Sequence, residues 1–170
     1  MYDRLFTFWS RYISKATLFK VMFNFSPMYR RSCGRITFVS EDIHIVKIKI
    51  PLSYKNRNYV GSMFGGSLFS ATDPIYMIQL MQILGKDYVV WDKATEIKFK
   101  RPAYKNAFAV FEFSAEEIEE IKHKVAVENE VNHTKKLFIT NNENVVFSEL
   151  DKVLYISSNE YYKNKKSSKP

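Results

Sequence analysis

The chain has 170 residues, enough for one domain with a buried core. Apolar residues make up 46% and aromatics 16% of it, which excludes an intrinsically disordered chain. The net charge is +8, and the single cysteine, Cys33, excludes an intramolecular disulfide and fits a reducing, cytoplasmic setting as a structural thiol.

Residues 3–25 predict an amphipathic helix. Leu5, Trp9, Tyr12, Ala16, Phe19 and Phe23 recur at three- and four-residue steps, with Arg4, Arg11, Ser14 and Lys15 opposite. Charged residues throughout this stretch argue against a secretory signal. Such a helix either packs on its own domain or lies on a membrane surface, and packing without membrane association is the expectation. Ser26-Pro27 ends it.

Two strands follow, at 35–39 and 44–50, with Val46, Ile48 and Ile50 alternating against Lys47 and Lys49. A polar loop over 52–64 leads into Gly65-Gly66. Residues 67–84 are apolar on nearly every face, which predicts a helix buried all round, with Gly85 as its C-cap. Pro74 predicts a kink and a carbonyl left unpaired near Ser70.

Four strand signals come next, at 88–99, 107–113, 132–140 and 145–157. A capped helix over 114–126 and a turn over 141–144 separate them. The last residues carry Lys163, Lys165, Lys166 and Lys169, which hold much of the charge, and 158–170 is expected to be a disordered basic tail. One long apolar helix followed by antiparallel strands is an α+β arrangement. A sheet wrapped around that helix buries it without a membrane. A single domain over 1–157 is expected.

The residues with chemical potential sit around that helix. Glycines before a helix leave backbone N–H groups free to hold an oxyanion, so Gly65 and Gly66 are candidate donors. Asp73 lies eight residues after Gly65 among apolar neighbours. Desolvation there would raise its pKa toward that of a general base for water. Asn58 on the preceding loop is the candidate positioner of that water or of a carbonyl. An alternative remains open: Asp73 serves the backbone groups that Pro74 disrupts.

The segments Asn58–Pro74, Leu84–Lys93 and Ile97–Pro102 together resemble an uncharacterised family of thioesterase-like hotdog proteins. More distantly they are similar to the phenylacetyl-CoA type thioesterases. The resemblance covers about residues 1–157. It implies a hotdog fold, a homodimer joined edge to edge that can pair into a tetramer, an acyl-CoA or acyl-carrier substrate, and no cofactor. In those enzymes a loop Asn, a His-Gly-Gly and an acid eight residues after the first Gly form the active site, positions matched here by Asn58, Gly65 and Asp73. Phe64 stands where they have His, and Asp92 where they have a small polar residue. The resemblance thus assigns Phe64, Phe69, Trp91, Asp92 and Lys93 to substrate binding, with Lys93 placed either to neutralise Asp73 or to meet an anionic substrate group. A non-catalytic module that binds a fatty-acyl or lipid-like ligand is the alternative.

His44, His123 and His133 show no ligand spacing, so no metal is expected. Basic and aromatic residues interleave at 98–101, but strand alternation makes one charged and one core face, so no nucleic acid partner is expected.

Overall fold

The computed structural model describes residues 13–167. Residues 3–12 of the expected first helix lie outside it. The described part forms α1 (Lys15–Phe25), capped by the Ser14 hydroxyl, which accepts from the Thr17 N–H. A short α2 (Pro27–Arg31) follows, then β1 (Arg35–Val39) and β2 (Ile45–Ile50). The apolar stretch forms α3 (Gly65–Thr72) and α4 (Ile75–Leu84). The rest is β3 (Tyr88–Phe99), β4 (Ala107–Glu112), α5 (Ala115–Glu128), β5 (Glu130–Thr140), β6 (Val146–Ser158) and α6 (Asn159–Ser167).

Six strands make one antiparallel sheet in the order β1-β2-β4-β5-β6-β3. Alternation fixes which side chains meet the helices. Val46, Ile48 and Ile50 of β2, Phe111 of β4, Leu137 and Ile139 of β5, and Leu150, Leu154 and Ile156 of β6 are buried with Leu68, Ala71, Ile75 and Leu80 from α3 and α4.

Pro74 divides the expected single helix, as a residue without an N–H must. Carbonyls around the break find other donors: the Tyr29 hydroxyl donates to Ala71 O at 3.1 Å, and the Lys152 ammonium donates to Asp73 O. Ser70 lies on the exposed side. The helix is not buried all round either. Ser70 and Met81 are exposed and Asp73 and Met77 half-buried, so spacings of three and four leave one stripe that the described residues do not cover.

The C-terminal segment also differs from expectation. Asn159–Ser167 is helical, and Lys165 is tied to Glu130 at 2.5 Å, which anchors the segment to the sheet.

The sheet has two edges of different character. At β1 the Asn24 side chain both donates to Ile36 O and accepts from Ile36 N at 2.9 Å, and Lys20 donates to Thr37 O at 2.7 Å. That edge is blocked by α1. Among the described residues the 12-residue β3 has β6 on one side and no strand on the other. An open edge of that length is a template for pairing.

Candidate active site

Strict alternation along β6 turns Ser148, Leu150, Lys152, Leu154 and Ile156 toward the helices. Lys152 is 2% exposed in the middle of that row. A buried ammonium is tolerated only when paired and hydrogen-bonded. Its Nζ lies 3.1 Å from Asp73 Oδ1 and 3.1 Å from Asp92 Oδ1, and it also donates to the Asp73 backbone carbonyl. One ammonium therefore serves two carboxylates and a helix end. A cation beside the last carbonyls of α3 also complements the helix dipole.

Asp92 reaches this pair because of a β-bulge. The β3 register passes from Asp92 opposite Leu154 to Ala94 opposite Val153, so Lys93 is the extra residue. Asp92 points inward, and burial pushes its carboxyl pKa up against the lowering effect of Lys152. Lys93 instead bonds Asn132 Oδ1 at 3.1 Å. Asn132 lies opposite Tyr155, on the face of the sheet away from the helices. The expected pairing of Lys93 with Asp73 is thus corrected: the bulge separates them, and Lys152 holds Asp73. The Asp73 side chain is 45% exposed, so its expected desolvation does not arise within this chain; the desolvated carboxyl is Asp92. Nor does Asp73 satisfy the backbone at the break, since Tyr29 and Lys152 do.

Asn58 organises its own loop. Its Oδ1 accepts from Val60 N and Ser62 N, and its Nδ2 donates to Ser62 Oγ at 2.9 Å. Phe64 N donates to Asn56 O at 2.7 Å, fixing where α3 starts. Among the described residues the N–H groups of Gly65 and Gly66 meet no acceptor. A Cβ would stand 2.9 Å from the tip of the exposed Phe99 ring at Gly65 and 2.2 Å from that of the exposed Phe64 ring at Gly66, so a side chain at either position would displace a phenyl ring. Phe64 is exposed over the helix start, Phe69 is half-buried against the core, and Trp91 is half-exposed opposite Tyr155.

A second polar cluster adjoins the first. Lys135 is the cross-strand neighbour of Lys152 and has the same inward orientation. Like charges placed so need separate partners. Lys135 has Glu117 at 2.7 Å and the Phe113 ring at 4.6 Å, and His133 bonds Glu117 at 2.6 Å. Burial raises the Glu117 carboxyl pKa, but the Lys135 and His133 contacts outweigh it and hold the group below its ordinary range. Neither inward lysine is among the residues that the motif spacing singles out. The available signal is alternation, which puts each lysine on the apolar side of its strand.

Comparison with known proteins places this arrangement. Residues 15–146 match the family described as a domain of unknown function, DUF4442. The chain belongs to this family. The DUF4442 chain also resembles solved structures. A Pseudomonas aeruginosa protein of unknown function, described as a probable thioesterase, is 19% identical with a TM-score of 0.74, covering 84% of this chain and 95% of that one. A Chlorobaculum tepidum protein of unknown function is 16% identical with a TM-score of 0.65, covering 93% and 94%. A Haemophilus influenzae thioesterase is 12% identical with a TM-score of 0.60, covering 84% and 90%. No curated protein matches the chain. The DUF4442 chain therefore has the hotdog fold, α+β, with an N-terminal helix added.

Proposed function

We propose that this DUF4442 chain hydrolyses thioesters of coenzyme A or an acyl carrier, with Asp73 activating water. The observation that carries the reading is Asp73 itself. Lys152 fixes one carboxylate oxygen at 3.1 Å, while the side chain keeps 45% of its surface exposed beside an uncovered apolar stripe that includes Met77 and Met81. A carboxylate held in one orientation next to a place for an acyl chain suits a general base.

The Gly65 and Gly66 N–H groups are the proposed holders of the thioester oxygen. Eight residues of helix separate Gly65 from Asp73 by about 12 Å along the axis, too far for one carbonyl and its attacking water to touch both. The reading therefore requires a homodimer in which the glycines of one protomer face Asp73 of the partner subunit. The open edge of β3 supplies the surface for it, and Phe64, Phe69 and Asp92 flank the resulting cleft. Asn58 contributes by holding the loop that sets the start of α3. Trp91 and Lys93, turned to the other face, have no part in this cleft.

The test is hydrolysis of short, aromatic and long acyl-CoAs by wild type, Asp73→Asn and Gly65→Pro, which removes the N–H. Either variant alone loses turnover, and mixed dimers of the two recover a fraction, because one cleft in each is intact. Equal rates for wild type and Asp73→Asn sink the proposal.

Two observations favour a second reading, a binder of acyl or lipid-like ligands without turnover: Lys152 already occupies Asp73, and Phe64 offers no polar donor. Native mass spectrometry showing a retained fatty-acyl ligand, with no thioester turned over, selects it.

A further inference from the structure

Residues 4–40 contain seven of the 26 Lys and Arg and none of the 18 Asp and Glu. This segment therefore carries +7, residues 158–170 carry +3, and the rest of the chain is slightly acidic at −2. Lys15, Lys20, Arg30, Arg31 and Arg35 are all exposed, and none forms an ion pair among the described residues.

The same segment exposes apolar side chains. α1 packs Ala16, Phe19 and Phe23 on the domain, as its sequence predicts, and Leu18 with them. It leaves Val21 and Phe25, four residues apart, on its outer side; Ile13, just before the helix, is exposed too, and α2 adds Met28. Phe25 is 73% exposed and Met28 57%. Scattered exposed apolar residues are ordinary. Four of them within 16 residues of a segment with no acid call for a partner.

We propose that α1 and α2 dock on the surface of an anionic phospholipid bilayer. Val21, Phe25 and Met28 enter the headgroup boundary while Arg30 and Arg31 meet lipid phosphates. The contact is peripheral, since no helix among the described residues is long and apolar enough to cross a membrane. Charge selects this occupant. A second copy of the chain would bring the same acid-free surface against itself across a two-fold interface, stacking like charges. A nucleic acid would satisfy the arginines and leave the aliphatic side chains unused. The inner side of α2, opposite the docked face, touches the candidate site, because the buried Tyr29 donates to Ala71 O two residues before Asp73. The proposal stands independently of thioester hydrolysis.

The experiment is sedimentation of the full chain with vesicles of phosphatidylcholine, with and without phosphatidylglycerol. The expected result is binding to the anionic vesicles alone, weakened by salt. Phe25→Glu with Met28→Glu abolishes it, and Arg30→Glu with Arg31→Glu weakens it at least about 25-fold, near fivefold per basic residue. These positions are exposed, and circular dichroism and thermal melting confirm that the variants fold. Failure to bind anionic vesicles overturns the proposal, as does equal binding by the variants. So does tighter binding to a single-stranded oligonucleotide that survives Phe25→Glu with Met28→Glu, or self-association that those changes abolish in the absence of lipid binding.

Discussion

Lys152 holds Asp73 twice, through its carboxylate at 3.1 Å and through its backbone carbonyl. The sheet thereby grips the helix break at one point, and the orientation of the candidate base depends on a side chain from the last strand. Lys152→Met leaves Asp92 buried without its cation. The expected loss is about 3 kcal/mol, the low end for breaking a buried pair because both carboxylates retain some access to water. Urea denaturation at neutral pH measures it. Adding Asp92→Asn to Lys152→Met recovers part of the loss.

Tyr29→Phe removes the donor to the Ala71 carbonyl inside a fully buried contact. The expected cost is about 1–2 kcal/mol from the orphaned acceptor. Gly34→Ala acts at the same place from the other side, because its Cβ would stand 2.9 Å from both the Tyr29 hydroxyl and the Ala71 Cβ. Overpacking of about 1–3 kcal/mol is expected. Thermal melts of the two single variants and the double variant test whether their costs fail to add, as shared contacts require.

Glu117 and Asp92 have opposite pH signatures. The folded-state pKa of Glu117 is lowered, so its stabilisation is present above the unfolded value of about 4.3 and is lost as pH falls through the folded one. The stability gap between wild type and Glu117→Gln is therefore wide at neutral pH and narrows in acid. The folded-state pKa of Asp92 is raised, so the folded state binds its proton more tightly. Wild type loses stability relative to Asp92→Asn as pH rises from about 3.9 through that folded value. Denaturant midpoints across this range check both signs.

The open β3 edge predicts association. Sedimentation velocity is expected to show a dimer. Substituting proline within 94–97 removes one N–H of the strand and is expected to shift the protein toward monomer where that N–H faces the free edge, and to destabilise the fold where it faces β6.

The amino-acid sequence by itself determined the strands, α5 and a kink at Pro74, which in the fold becomes a full break between two helices. These are local matters: side-chain period, a capping serine at 114 and a missing N–H at 74 act within a few residues. It also placed Asp73 and the two glycines by spacing along one chain segment. Only the tertiary structure decided what Asp73 touches. Lys152 lies 79 residues away, and no period or motif ties it to Asp73. The bulge at Lys93 likewise arises from register against β6, and a one-residue slip reverses which side chains face inward. The same holds at the C-terminus, where Lys165 finds Glu130 only after β5 and β6 pair and bring their ends together. Long-range pairing depends on how strands align in space, which is why the site's cation had to be found in the fold.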